Sequence, residues 1–154
     1  MKTSFKFSKE SQRQLDTCVE PLQEVFNCVI QHKDCKILIG HRSKELQTKA
    51  FKEGHGVAWP KSNHNKEPSL AVDVMPYYKE APHIRWAQNP KVLLQKFTRG
   101  LIDINTLEVQ LAEWRELHAF ANFVLGVAAA KKIPLRWGGH YKSFFDGPHY
   151  EIMK

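Results

Sequence analysis

Apolar residues recur at helical spacing through the first thirty positions, at Leu15, Cys18, Val19, Leu22, Val25, Phe26, Val29 and Ile30. Ser8 is placed to cap a first helix, and Pro21 divides the stretch. Proline ends one helix and suits the first turn of the next, so two helices are predicted, read as scaffold with a solvated outer face. Cys35-Lys-Ile-Leu-Ile-Gly40 is short, apolar and β-branched, the pattern of a buried strand that stops at glycine. Ser43 can then cap a helix from Lys44 to Glu53.

Gly54 to Lys61 reads as an exposed loop, in which Trp59 either stacks on a substrate or shields a hydrophobic edge. Ala71-Val-Asp-Val-Met75 alternates as a strand, with Val72 and Val74 on one face and Ala71, Asp73 and Met75 on the other. Residues 77–106 lose periodicity apart from a short helix at Val92 to Phe97, and read as a lid, an insertion or a surface excursion. The longest helix is predicted from Thr106, with Leu107, Leu111, Trp114, Leu117, Phe120, Ala121, Val124 and Leu125 on one stripe and Lys131 and Lys132 closing it. His118 lies near that stripe and is read as packed core. The final run, His149-Tyr-Glu-Ile152, alternates again, so that His149 and Glu151 share a face.

The 154 residues suffice for one domain with a real core. Hydrophobic residues at 42% and charged residues at 25% exclude a disordered chain. The formal charge of +7 favours polyanions, whether nucleic acid, anionic lipid or wall polymer, and does not choose among them. Cys18, Cys28 and Cys35 are odd in number and lack C-x-x-C spacing, which favours reduced, packed thiols. The N-terminal stretch has no apolar segment resembling a secretory signal, and no run is long enough to span a membrane. A cytoplasmic site of synthesis is therefore expected.

Candidate chemistry sits in two distant blocks. An aspartate inside an apolar strand is costly to bury unless it is paired or binds a cation, which draws attention to Asp73. With His64 on the preceding polar loop and His149 near the end of the chain it offers two nitrogens and one oxygen. Catalytic zinc sites take three such ligands and keep a fourth position for water. A structural zinc site normally has four protein ligands, often cysteines, and no cysteine lies near either histidine block. Asp146 and Glu151 flank His149 as carboxylates able to move a proton or orient the ring.

Three blocks, Gly40-His-Arg42-Ser-Lys-Glu-Leu-Gln47, Ser62-x-His64 to Asp73, and Trp137-Gly-Gly followed by Asp146-Gly-Pro-His149, run in the order of a known family. The chain resembles the zinc peptidases of the D-alanyl-D-alanine carboxypeptidase and L-alanyl-D-glutamate endopeptidase family, particularly single-domain phage endolysins. The resemblance implies an α+β fold in which a small antiparallel sheet carries the zinc site and packs against several helices. It implies one zinc ion on His64, Asp73 and His149, with Asp146 as the catalytic base and Glu151 as its alternative or as the partner that orients an imidazole. Arg42 would polarise the scissile carbonyl or bind a substrate carboxylate. Gln47, Ser62, Trp137 and His140 would support the site or contact substrate. Two departures stand out: the step from His64 to Asp73 is lengthened across Asn65 to Leu70, and His140 stands where related sequences often carry an aspartate.

The implied substrate is the stem peptide of bacterial peptidoglycan. Cleavage between L-alanine and D-glutamate is favoured and terminal D-alanine trimming is the alternative. The implied agent is a monomer, a single catalytic domain over residues 1–154, without nucleic-acid partner or membrane span, reaching the wall after holin-type release. A non-catalytic basic module for wall or nucleic acid is the competing class, but the lysines and arginines are dispersed and form no recognised nucleic-acid motif.

Overall fold

A computed structural model describes residues 4–154. Residues 1–3, part of the stretch read as lacking a secretory signal, lie outside the described residues. Helix α1 spans Lys9–Leu15, and the Ser8 side chain accepts from the Ser11 amide as its cap. Helix α2, Glu20–Val29, carries Pro21 in its first turn and buries Leu22, Val25, Phe26 and Val29. The division at Pro21 is as the sequence predicts.

Strand β1 is Cys35–Ile39 and helix α3 is Lys44–Lys52, capped by Ser43 through the Leu46 amide. Strand β2 is Ala71–Pro76, helix α4 Pro90–Thr98 and helix α5 Ile104–Ala130. Strands β3, Leu135–Trp137, and β4, His149–Ile152, complete the chain. The four strands form one antiparallel sheet in the order β1-β2-β4-β3, so β4 lies between β2 and β3. The fold is α+β.

Register decides what the two faces carry. Val72 stands opposite Tyr150, and Tyr150 opposite Trp137, so bulky apolar groups from three strands share the face covered by α2 and α5. Tyr150 and Trp137 are fully buried there, and Tyr150 meets Phe26 edge to face at 5.4 Å. Full burial of such a side chain contributes roughly 1.5–3 kcal/mol. On the other face Asp73 stands opposite His149, and Glu151 is paired with both Ala71 and Arg136. One side of the sheet is core, and the other presents chemistry.

The segment 77–106, read as a lid, an insertion or a surface excursion around a short helix, carries that helix as α4, Pro90–Thr98. Helix α4 packs on α5 and buries Leu93 completely, and α5 begins at Ile104, earlier than Thr106, because Asp103 caps it by accepting from the Thr106 amide at 2.8 Å. The three cysteines are free thiols, and burial pushes Cys18 and Cys35 up to about 12. Among the described residues no helix is long and apolar enough to cross a membrane.

Candidate metal centre and its cleft

His64 is set by local structure. Ser62 caps the short 3-10 turn Asn63–Asn65: its hydroxyl accepts from the His64 amide at 3.2 Å while Asn65 Oδ1 accepts from the Ser62 amide at 3.2 Å. The His64 carbonyl accepts from the Arg42 amide at 2.8 Å. Its ring is buried, and Nδ1 donates to the Gly40 carbonyl at 2.7 Å, which turns Nε2 toward Asp73. Gly40 is itself pressed against α1 and the turn after it, since a Cβ there would lie 2.2 Å from the Gln14 carbonyl and 2.3 Å from the Thr17 hydroxyl. Only glycine fits.

His149 is set by the sheet and by a pinned loop. Trp137 Nε1 donates to the Gly147 carbonyl at 2.6 Å, and the Gly138 carbonyl accepts from the Asp146 amide at 3.1 Å. A Cβ on Gly138 would fall 2.5 Å from the Asp146 carbonyl, so the Trp-Gly-Gly sequence is what lets the Asp-Gly-Pro-His loop lie against β3. At the ring, Nε2 faces Glu151 at 3.2 Å, which turns Nδ1 toward Asp73. Glu151 also accepts from Asn63 Nδ2, from the Tyr141 hydroxyl at 2.8 Å and from Arg136. Burial works against ionisation of Glu151, but these donors outweigh it and hold the carboxyl well below its usual range.

Asp73 closes the constellation. Its Oδ1 lies 3.1 Å from His64 Nε2 and 3.1 Å from His149 Nδ1, and those two nitrogens are 3.2 Å apart. Three electron pairs thus converge from two imidazoles and a carboxylate, an arrangement that repels itself unless a cation or proton stands between them. Tetrahedral zinc with bonds of about 2.0–2.1 Å separates its ligand atoms by about 3.3 Å, close to what is found. The donor set and spacing fit a divalent ion. In its absence burial pulls His149 down, yet the hydrogen bonds to Asp73 and Glu151 carry it up to about 9. Asp73 stays well below the usual carboxylate range, where burial is outweighed by its bonds to His149 and His64.

Around this centre runs a cleft of about 830 Å³. Arg42 enters it with Nη2 3.5 Å from Asp73 Oδ2 and Nη1 donating to Gln47 Oε1 at 3.3 Å. Gln47 is fully buried; its Nε2 donates to the Val57 carbonyl at 2.6 Å, and its Oε1 also accepts from Asn65 at 3.1 Å. Asp146 lines the cleft half-buried, and burial first, then the negative charge of Asp73, raises its carboxyl above the ordinary value. Trp137 and His140 lie outside the cleft wall: Trp137 is core, and His140 is exposed with its ring 5.1 Å from Trp137. Asn63, Tyr141 and Arg136 joined the centre without being singled out from sequence. The Ser62-x-x-Asn65 spacing, a capping box in the structure, is a local signal that went unread in the sequence.

The geometry agrees with the comparisons to known proteins. The chain belongs to the phage L-alanyl-D-glutamate peptidase family, whose profile matches residues 3–100. A D-alanyl-D-alanine carboxypeptidase profile matches residues 55–152, so His64 and Asp73 fall within both and His149 within the second. Among solved structures, an L-Ala D-Glu endopeptidase of Serratia marcescens, ChiX, shares the fold with a TM-score of 0.70 at 20% identity, over 98% of this chain and 92% of that one. No curated protein matches the chain.

Proposed function

We propose that the protein is a zinc-dependent peptidoglycan peptidase that hydrolyses a stem-peptide amide, the L-alanyl-D-glutamate bond, with residues 1–154 acting as one catalytic domain. The observation that carries this reading is the convergence of His64 Nε2, Asp73 Oδ1 and His149 Nδ1 at 3.1–3.2 Å inside a cleft that also holds Arg42 and Asp146. When bound, zinc acidifies water toward a pKa of about 7 and polarises a carbonyl.

The chain's own groups do the rest. Asp146, raised by its half-buried position, accepts the proton of the attacking water and delivers it to the leaving amine. Glu151 is less suited to that exchange, because four partners engage its carboxylate. It serves to orient the His149 ring. Arg42, fixed between Asp73 and Gln47, presents its guanidinium to the charge that develops on the scissile carbonyl oxygen. Gln47 and Ser62 keep Arg42 and His64 in place.

A net charge of +7 would concentrate the enzyme on an anionic wall, an attraction that weakens with salt. As for phage endolysins, delivery would follow synthesis in the host cytoplasm. The second reading, removal of terminal D-alanine, draws on the carboxypeptidase profile that covers 55–152. Metal analysis together with muropeptide digestion tests both. Wild type and Asp146→Ala should carry one zinc per chain, and wild type alone should cleave. Mass spectrometry of the fragments distinguishes an exposed D-glutamyl amine from released D-alanine. A zinc-loaded wild type inert toward every stem peptide would end the proposal.

A further inference from the structure

The loop 77–87 is held by contacts of Tyr77, Tyr78, His83 and Arg85, while Lys79 and Glu80 face solvent. His83 stacks on Tyr77 with centroids 5.1 Å apart and donates through Nδ1 to the Tyr78 carbonyl at 2.8 Å. Arg85 lies over the Tyr78 ring at 3.9 Å, and the Tyr78 hydroxyl donates to Glu116 of α5 at 2.7 Å. Ile84 and Ala87 pack against the core. Between these anchors Trp86 stands 63% exposed, one wall of the cleft and also of an adjoining apolar pocket of about 270 Å³ with Phe145 and Pro148. A large indole left bare on a fixed loop beside a catalytic cleft marks a contact surface.

We propose that Trp86 is a stacking platform for an aminosugar ring of the glycan strand, an inference that rests on the peptidoglycan reading above. In that polymer the first alanine of the stem is joined to the sugar through a lactyl group. The L-alanyl carbonyl therefore lies about two residue lengths, roughly 7 Å, from the ring. Cutting there brings the sugar to the rim of the cleft, whereas cutting at the D-alanyl end leaves it several residues away. A pyranose face offers C–H groups of positive character to the negative face of the indole.

The test compares kcat/KM of the zinc-loaded protein for a muramoyl-linked stem peptide and for the same peptide without sugar. Wild type should prefer the sugar-linked substrate. Trp86→Ala should lower that preference by about tenfold or more, chiefly through KM, and Trp86→Phe should keep most of it. An equal fall on both substrates, or a wild type with no preference, overturns the sugar assignment while leaving the peptidase reading intact. A wild type that cleaves neither substrate removes the peptidase reading itself.

Discussion

The two imidazoles of the centre are held by opposite means. His64 is oriented by a main-chain carbonyl, at Gly40, and by a turn capped within four residues of sequence. His149 is oriented by a charged side chain, Glu151, whose own partners come from Asn63, Arg136 and Tyr141. A carbonyl cannot be removed by substitution and carries no titratable charge. A carboxylate can be neutralised, released or competed for. The His64 half is therefore the rigid reference of the site, and on the proposed reading the His149 half is where affinity for an ion would be tuned.

The largest break in that contrast is loss of a ligand. His149→Ala and His64→Ala should each abolish tight zinc binding and cleavage, and chelation of wild type should reproduce both effects together with a lower Tm, read by metal analysis and calorimetry. Gly138→Ala comes next. The new methyl meets the Asp146 backbone, so the loop bearing Asp146 and His149 must shift, and peptide hydrolysis should fall by at least about a hundredfold while far-ultraviolet circular dichroism is retained.

Glu151→Gln isolates the tunable half. Zinc affinity should drop by about 10–100-fold in competition titrations. Because the folded-state carboxyl is held low, its contribution to stability is present above the unfolded value of 4.5 and is lost as pH falls below it. The stability gap between chelated wild type and chelated Glu151→Gln should accordingly narrow in acid. Ser62→Ala gives the smallest effect, about 1 kcal/mol in urea unfolding, since it removes a cap and leaves the Gly40 bond in place.

What the sequence disclosed follows the same division. Helix caps at Ser8 and Ser43, the break at Pro21 and the alternation around Asp73 are local properties, and the structure contains each of them. His64, Asp73 and His149 stood out because a buried acid demands a partner. Of their supports, Glu151, Gln47 and Ser62 came with the family resemblance, whereas Asn63, Arg136 and Tyr141 did not stand out. Asn63 reaches Glu151 across 88 positions and Gln47 reaches the Val57 carbonyl across a loop, distances over which no periodicity speaks. Residues 77–106 looked shapeless because their first half is fixed by pairs such as Tyr78 with Arg85 and Glu116, which leave no repeating apolar stripe. Trp86 was visible as a residue, but its place over the cleft depends on anchors at Ile84 and Ala87.

Strand β4 carries His149 and Glu151, yet lies between β2 and β3. It is the last of these elements to leave the ribosome, so β2 and β3 must wait, unpaired on that side, until it arrives. A nascent chain can pair β1 with β2 early, but β3 has no strand partner and His149 cannot meet His64 and Asp73 before that insertion. The three candidate ligands thus come together only when the final strand is in place, so the site and the completed sheet form as one event.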